Sequence, residues 1–185
     1  SCVLEWLIAK MNSLSAEGVI SFSSKTMPVL AILRKNLLEN KNTQINYTGK
    51  LPNYFDIEIL RNIYGYKFEL NQVHNASEIS EFKGSNIFIS QQDEFSVDLN
   101  TNIDFYINIY ANYGSVLLVN GEKNKYYISE IQHVRRRETI AMTPKNCLEV
   151  LNFLIKKSSF KTIKVDAAAN KMAVLNSIKE VCNTI

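Results

Sequence analysis

Apolar residues recur at helical spacing from the start of the chain, at Val3, Leu4, Leu7, Ile8, Met11 and Leu14, with Trp6 beside them. The pattern predicts an amphipathic helix ended by Gly18. Val19-Ile20-Ser21-Phe22-Ser23 is short, β-branched and aromatic, and predicts a buried strand. A second helix follows, capped by Ser24 or Thr26, with Pro28 in its first turn and Met27, Leu30, Leu33, Leu37 and Leu38 on one side. It fades at Asn40-Lys41-Asn42, and Gln44-Ile45-Asn46-Tyr47 is the next strand. Residues 19–47 thus read as a strand-helix-strand unit, which predicts parallel strands and a right-handed crossover.

The stretch 49–72 is mixed: Gly49, Pro52 and Asn53 make a loop, while Ile57, Ile59, Leu60 and Ile63 suit a helix or a strand, and the helix is the expectation. Asn75-Ala76-Ser77-Glu78 has the form of a capping box and predicts a short helix from Ala76 to Phe82. Asn86 to Ser90 is an apolar run ending in a hydroxyl, followed by a polar loop and then Asp98-Leu99. A buried parallel strand delivers polar groups to the carboxyl edge of a sheet in this way, and ligands bind at that edge. Ile103 to Tyr110 predicts another strand. Two β-rich runs, Ser115–Val119 and Glu122–Ile128, flank Asn120-Gly121, the preferred pair for a type I′ hairpin. Glu138 to Met142 suits one more strand, and Thr143-Pro144 opens a helix with Leu148, Leu151, Leu154 and Ile155 on one face. Lys161–Val165 and Asn170–Val181 add a last strand and helix.

Composition changes this picture little. The 185 residues, 46% hydrophobic, predict one α/β domain, or one domain with an appendage, and exclude a disordered chain. A net charge of +3 permits a nucleic-acid partner without demanding one. Cys2, Cys147 and Cys182 are odd in number with no C-x-x-C pair, which argues against a disulfide framework or a zinc site and predicts reduced, intracellular thiols. No apolar run reaches membrane length and no secretory leader opens the chain. The start at Ser1-Cys2, without a methionine, predicts a fragment of a longer polypeptide.

The order of the pieces resembles the second, carboxyl-side RecA-like domain of superfamily 2 helicases. Val19 to Leu33 looks like that domain's first strand and helix, and Ser90, Ser96 and Asp98-Leu99 fall at the spacing of motif V. Gln132-His133-Val134-Arg135-Arg136-Arg137 sits where motif VI stands. A hairpin between those motifs is similar to the layout of flavivirus-type and potyvirus-type viral RNA helicases and of DEAH-type helicases. The sequence departs from the pattern where Ser96 replaces glycine, Ser90 replaces threonine and Arg135 stands at a glycine position.

The resemblance implies a RecA-like three-layer sandwich with a mostly parallel sheet and a β-hairpin inserted at about 115–128, the domain spanning 1–157 and 158–185 forming a β-α extension. It implies half of an NTP-dependent RNA helicase. ATP is shared with a missing amino-terminal RecA-like domain that holds the Mg, single-stranded RNA or DNA is the partner, and the setting is the host cytoplasm if the protein is viral. Arg135 and Arg136 become candidate arginine fingers, a role that can contribute on the order of 10³-fold in rate. Gln132 would orient the phosphate or the water, while Ser96 and Asp98 would meet the nucleotide. Ser23, Ser24, Lys25 and Ser90 become candidates for nucleic-acid contact, and the tip at Asn120 to Lys123 a strand-splitting wedge.

Read without the family, three adjacent arginines equally suit a solvated turn, and apolar hairpin strands a packed ribbon. His74 and His133 lack partners at ligand spacing, and Asp93-Glu94 lacks a third ligand, so no metal is expected. Thr48-Gly49-Lys50 is not a complete phosphate loop, and the fragment alone is not expected to hydrolyse nucleotide. The alternatives are a catalytically silent RecA-like module for protein or RNA binding, and an unrelated doubly wound domain of nuclease or signalling type.

Overall fold

The computed structural model describes residues 3–53, 55–91 and 99–157. Within them β1 (Val19–Phe22), β2 (Thr43–Tyr47), β3 (Phe68–Gln72), β4 (Ser85–Ser90), β5 (Phe105–Tyr110) and β6 (Gly114–Val119) form one sheet, in the order β1-β6-β5-β4-β2-β3. The pairs β2–β3, β2–β4 and β4–β5 are parallel, whereas β6 lies antiparallel to both β1 and β5. The strand-helix-strand unit at 19–47 therefore exists, but β1 and β2 are separated by three strands rather than paired.

Four helices complete three layers. α1 (Val3–Met11) and α4 (Pro144–Lys157) cover one face; α2 (Met27–Leu38) and α3 (Tyr126–Arg137) cover the other. Strand alternation divides the core accordingly. Phe105, Ile107 and Ile109 of β5 pack toward α2 and α3, and Tyr106 and Tyr110 toward α1 and α4. Burial on both faces is why the strands read as nearly unbroken apolar runs.

Several expectations are corrected. The first helix stops at Met11, where Ser13 takes a positive φ of 54°, and Gly18 instead ends a separate short turn. In α2 the buried face is Val29, Ile32, Leu33 and Asn36, while Leu38 stays 77% exposed. Asn36 can occupy a core position because it is hydrogen-bonded there: its amide donates to Thr43 Oγ1 at 2.8 Å, and its carbonyl oxygen accepts from the hydroxyls of Ser85 and Tyr127. Asn36→Ala strands these hydroxyls in the interior, and urea denaturation is expected to show a loss of about 1–3 kcal/mol.

No hairpin is inserted at 115–128. β6 is already paired on both sides, and its hairpin partner is the preceding strand β5, reached through the turn Ala111-Asn112-Tyr113. Asn120 donates its side-chain amide to the carbonyls of Asn100 and Ile103, Gly121 takes φ 79°, and the chain turns into α3. Tyr127, Ile131 and Val134 repeat at helical spacing and are buried, so β-favouring residue types concealed a helix. β3 was not expected at all; beside it lies a single helical turn, Ile59–Ile63. Asn75 caps the turn, its Oδ1 accepting from Ser77 N at 2.9 Å, but Glu78 accepts from His74 N at 3.1 Å rather than closing a reciprocal box on Asn75 N, and the helix is one turn, Ala76–Glu78. Of 138–142, Ala141 makes an isolated bridge to Phe22. The elements expected beyond Lys157 lie outside the described residues.

Burial raises the phenols of Tyr110 and Tyr127 above their ordinary value near 10, and pushes Tyr106 up to about 12, its hydrogen bond from Asn100 N opposing that shift. These groups bind a proton more tightly folded than unfolded. Their contribution is present in full below pH 10 and is lost as pH rises beyond it. Urea midpoints measured against pH are expected to be level as pH approaches 10 and to fall between pH 10 and about 12.

Candidate functional site

The parallel strands end on one edge of the sheet, and the residues that follow them form its rim: Ser23-Ser24-Lys25 after β1, Thr48-Gly49-Lys50 after β2, Val73-His74 after β3, Gln91 after β4 and Ala111-Asn112-Tyr113 after β5. From β2 the chain moves outward to β3; from β4 it moves the other way, to β5. The boundary between β2 and β4 is thus where the connection direction reverses, the place where open α/β sheets bind ligands.

Cavities lie on either side of that boundary. One, of about 350 Å³, is lined by Thr48, Gly49, Gln72, Val73 and His74. The other, of about 300 Å³, is lined by Gln91, the turn Ile109–Tyr113 and Phe153 of α4. Its walls are aromatic: Tyr110 and Phe153 meet edge to face, with ring centroids 6.4 Å apart. Asn146 Nδ2 donates to the carbonyl of Tyr113 at 3.2 Å and ties the turn to α4. In the strands beneath, buried Ser90 donates its hydroxyl to Asn108 Oδ1 at 3.1 Å, so the polar end of β4 is satisfied by a neutral amide.

Ser90 ends β4 at this edge, but Gln132, Arg135 and Arg136 do not converge with it. Arg135 Nη1 donates to Glu5 Oε1 at 2.6 Å and to the Ser21 carbonyl at 3.3 Å, and Nη2 donates to Gln132 Oε1 at 2.8 Å. Glu5, 1% exposed, also accepts from Ser21 N and Ser21 Oγ at 2.9 and 2.7 Å. β1 is an edge strand, and these contacts cover the outward amide and carbonyl of Ser21. β6 and β5 lie between β1 and β4, which sets this cluster roughly 14 Å from Ser90 by strand spacing.

Arg136 and His133 are exposed on α3, and Arg137 pairs with Glu138 at 2.8 Å. Ser24 Oγ accepts from Thr26 N and Met27 N at 3.3 and 3.2 Å and so caps α2; Ser23 is exposed, and its amide donates to the Ile140 carbonyl; Lys25 is half-buried. The expected wedge is a connection, with Lys123 Nζ 2.9 Å from the buried carboxylate of Asp104. Ser96, Asp98, Asp93 and Glu94 lie outside the described residues. Asn108, Tyr110 and Phe153 were missed, because the strand to Tyr110 was recognised without its end being read as a rim.

No protein-family model matches the chain, and no curated protein does. Among solved structures it is similar to a Listeria monocytogenes EGD-E protein assigned as an L-allo-threonine aldolase, at a TM-score of 0.50 and 14% identity over 83% of this chain. The chain spans 56% of that protein's length. A weaker likeness, at a TM-score of 0.45 and 9% identity, is to an O-acetylhomoserine sulfhydrylase of Wolinella succinogenes, covering 82% of this chain and 61% of that one.

The aldolase likeness concerns the fold, and it corrects the helicase reading: the sheet is not shown to be a RecA-like domain, nor does the silent RecA-like alternative gain support. The viral and helicase assignments fall with it, as do ATP and Mg as cofactors, and the roles that Gln132, Arg135 and Arg136 drew from them lose their basis. What stands is an α/β chain with a six-stranded, mostly parallel sheet. Among the described residues no helix is long and apolar enough to cross a membrane.

Proposed function

We propose that the chain is the sheet-bearing part of a larger protein of the L-allo-threonine aldolase type of fold, and that it binds a small molecule at the carboxyl edge beside β4 and β5. The observation that carries this reading is the cavity of about 300 Å³ under Gln91, Tyr110 and Phe153, at the low end of the volumes typical of ligand sites and next to the reversal in sheet order. Aromatic walls supply apolar contact, and the side-chain amides of Gln91 and Asn112 supply donors and acceptors that can fix an orientation. The intracellular setting expected from the odd thiol count belongs to this proposal.

A fragment screen followed through backbone amide resonances tests it. Binding is expected to shift Gln91, Asn112 and Tyr113, and Phe153→Ala to weaken it about tenfold through the lost wall. Arg136→Ala, on exposed α3, is expected to leave binding unchanged. Shifts gathered on α3 instead would count against the site.

A further inference from the structure

A threonine aldolase-type fold raises pyridoxal phosphate as the cofactor to consider for this chain. That chemistry requires a lysine amine to hold the aldehyde and a carboxylate or guanidinium at the ring nitrogen. The phosphate in turn requires cations or a row of converging amides. The described residues do not fit these requirements.

Among the described residues lining the β4–β5 cavity, none carries a charge and none is a lysine. Lysines follow β1 and β2 and open α4, at Lys25, Lys50 and Lys145, yet none of them lines it. The described residues lining the second cavity at this edge include no lysine either. Asn108, which accepts from Ser90 in the strands beneath, is a neutral amide. Burial raises the Tyr110 phenol, so its hydroxyl stays protonated.

Resting on the site proposed above, we infer that this cavity receives an uncharged, ring-bearing ligand and holds it without a covalent bond to lysine. An anion there meets no counter-charge among the described residues. A neutral planar ring meets Tyr110 and Phe153 and can exchange hydrogen bonds with Gln91 and Asn112.

The test uses the 185-residue chain with three probes: nicotinamide, its charged counterpart nicotinate, and pyridoxal phosphate followed by borohydride reduction and peptide mapping. Nicotinamide is expected to shift the Asn112 and Tyr113 amides and to bind there at least about fivefold more tightly than nicotinate. Borohydride is expected to fix no lysine beyond the level seen in the urea-unfolded chain. Stoichiometric fixation at one lysine, or preference for nicotinate at the same amides, overturns the inference and leaves the site standing. If no probe moves those amides, the site fails, and the inference with it.

Discussion

Arg135→Ala is expected to cost about 3–5 kcal/mol of folding stability, because it leaves the buried Glu5 carboxylate without its guanidinium. The Arg135 side chain is only 12% exposed, so solvent cannot replace the lost charge as it does at a surface pair. Two local losses add to this: the Ser21 carbonyl on the open edge of β1 and the Gln132 side chain each lose a donor. The combination Glu5→Leu with Arg135→Met removes both charges and is expected to recover a large part of the loss. Recovery is not complete, since Ser21 N and its hydroxyl lose the Glu5 carboxylate to which they donate, a deficit of about 1–3 kcal/mol. Urea denaturation of the two single variants and the pair measures this directly. Recovery absent from the pair would mean that the hydrogen bonds to Ser21, not the charges, dominate.

Gly114→Ala is expected to be as damaging, at about 3 kcal/mol or more. Gly114 opens β6 with φ at 123°, a conformation that side chains rarely adopt, and a Cβ there would overlap the carbonyl oxygen of Phe22. That oxygen belongs to backbone and cannot swing aside as a flexible side chain would, so β1 and β6 must separate locally. Hydrogen exchange is expected to show lost protection at Ile20 and Phe22 ahead of β2 and β4. Gly49→Ala serves as the comparison: its φ is also positive, but nothing lies within 4 Å of the added methyl. Its cost is expected to be limited to backbone strain, roughly 1 kcal/mol.

Short runs of β-branched and aromatic residues made β1, β2, β4 and β5 legible, since each is largely buried on both faces. Helices α1, α2 and α4 were legible from spacing and, in the last two, from proline near the first turn. What the pattern hid has physical causes. α3 begins with Tyr126, Tyr127 and Ile128, residues that favour strands in isolation, and tertiary packing against β5 overrides that preference. Asn36 hid the true face of α2, because a polar residue counts against burial until its three partners, two of them distant in sequence, are known. The site was legible only as a location: Ser90 did mark the carboxyl edge. The arginines misled because three in a row, near a glutamine, match a motif by spacing, whereas Glu5 lies 130 residues away and cannot be paired with Arg135 by eye.

The position of β6 also constrains the order in which the molecule can be assembled. β1 has a single neighbour in the sheet, and that neighbour arrives almost a hundred residues later, Val19 aligning with Leu118. A nascent chain halted before Gly114 already holds the four consecutive parallel neighbours, from β3 to β5, but offers β1 no ladder to join. The amino-terminal strand therefore has no sheet partner until the antiparallel strand emerges. Closures across so long a stretch of chain are slow relative to local ones, so the amides of β1 are expected to gain protection later than those of β2 and β4 when refolding is followed by pulsed hydrogen exchange.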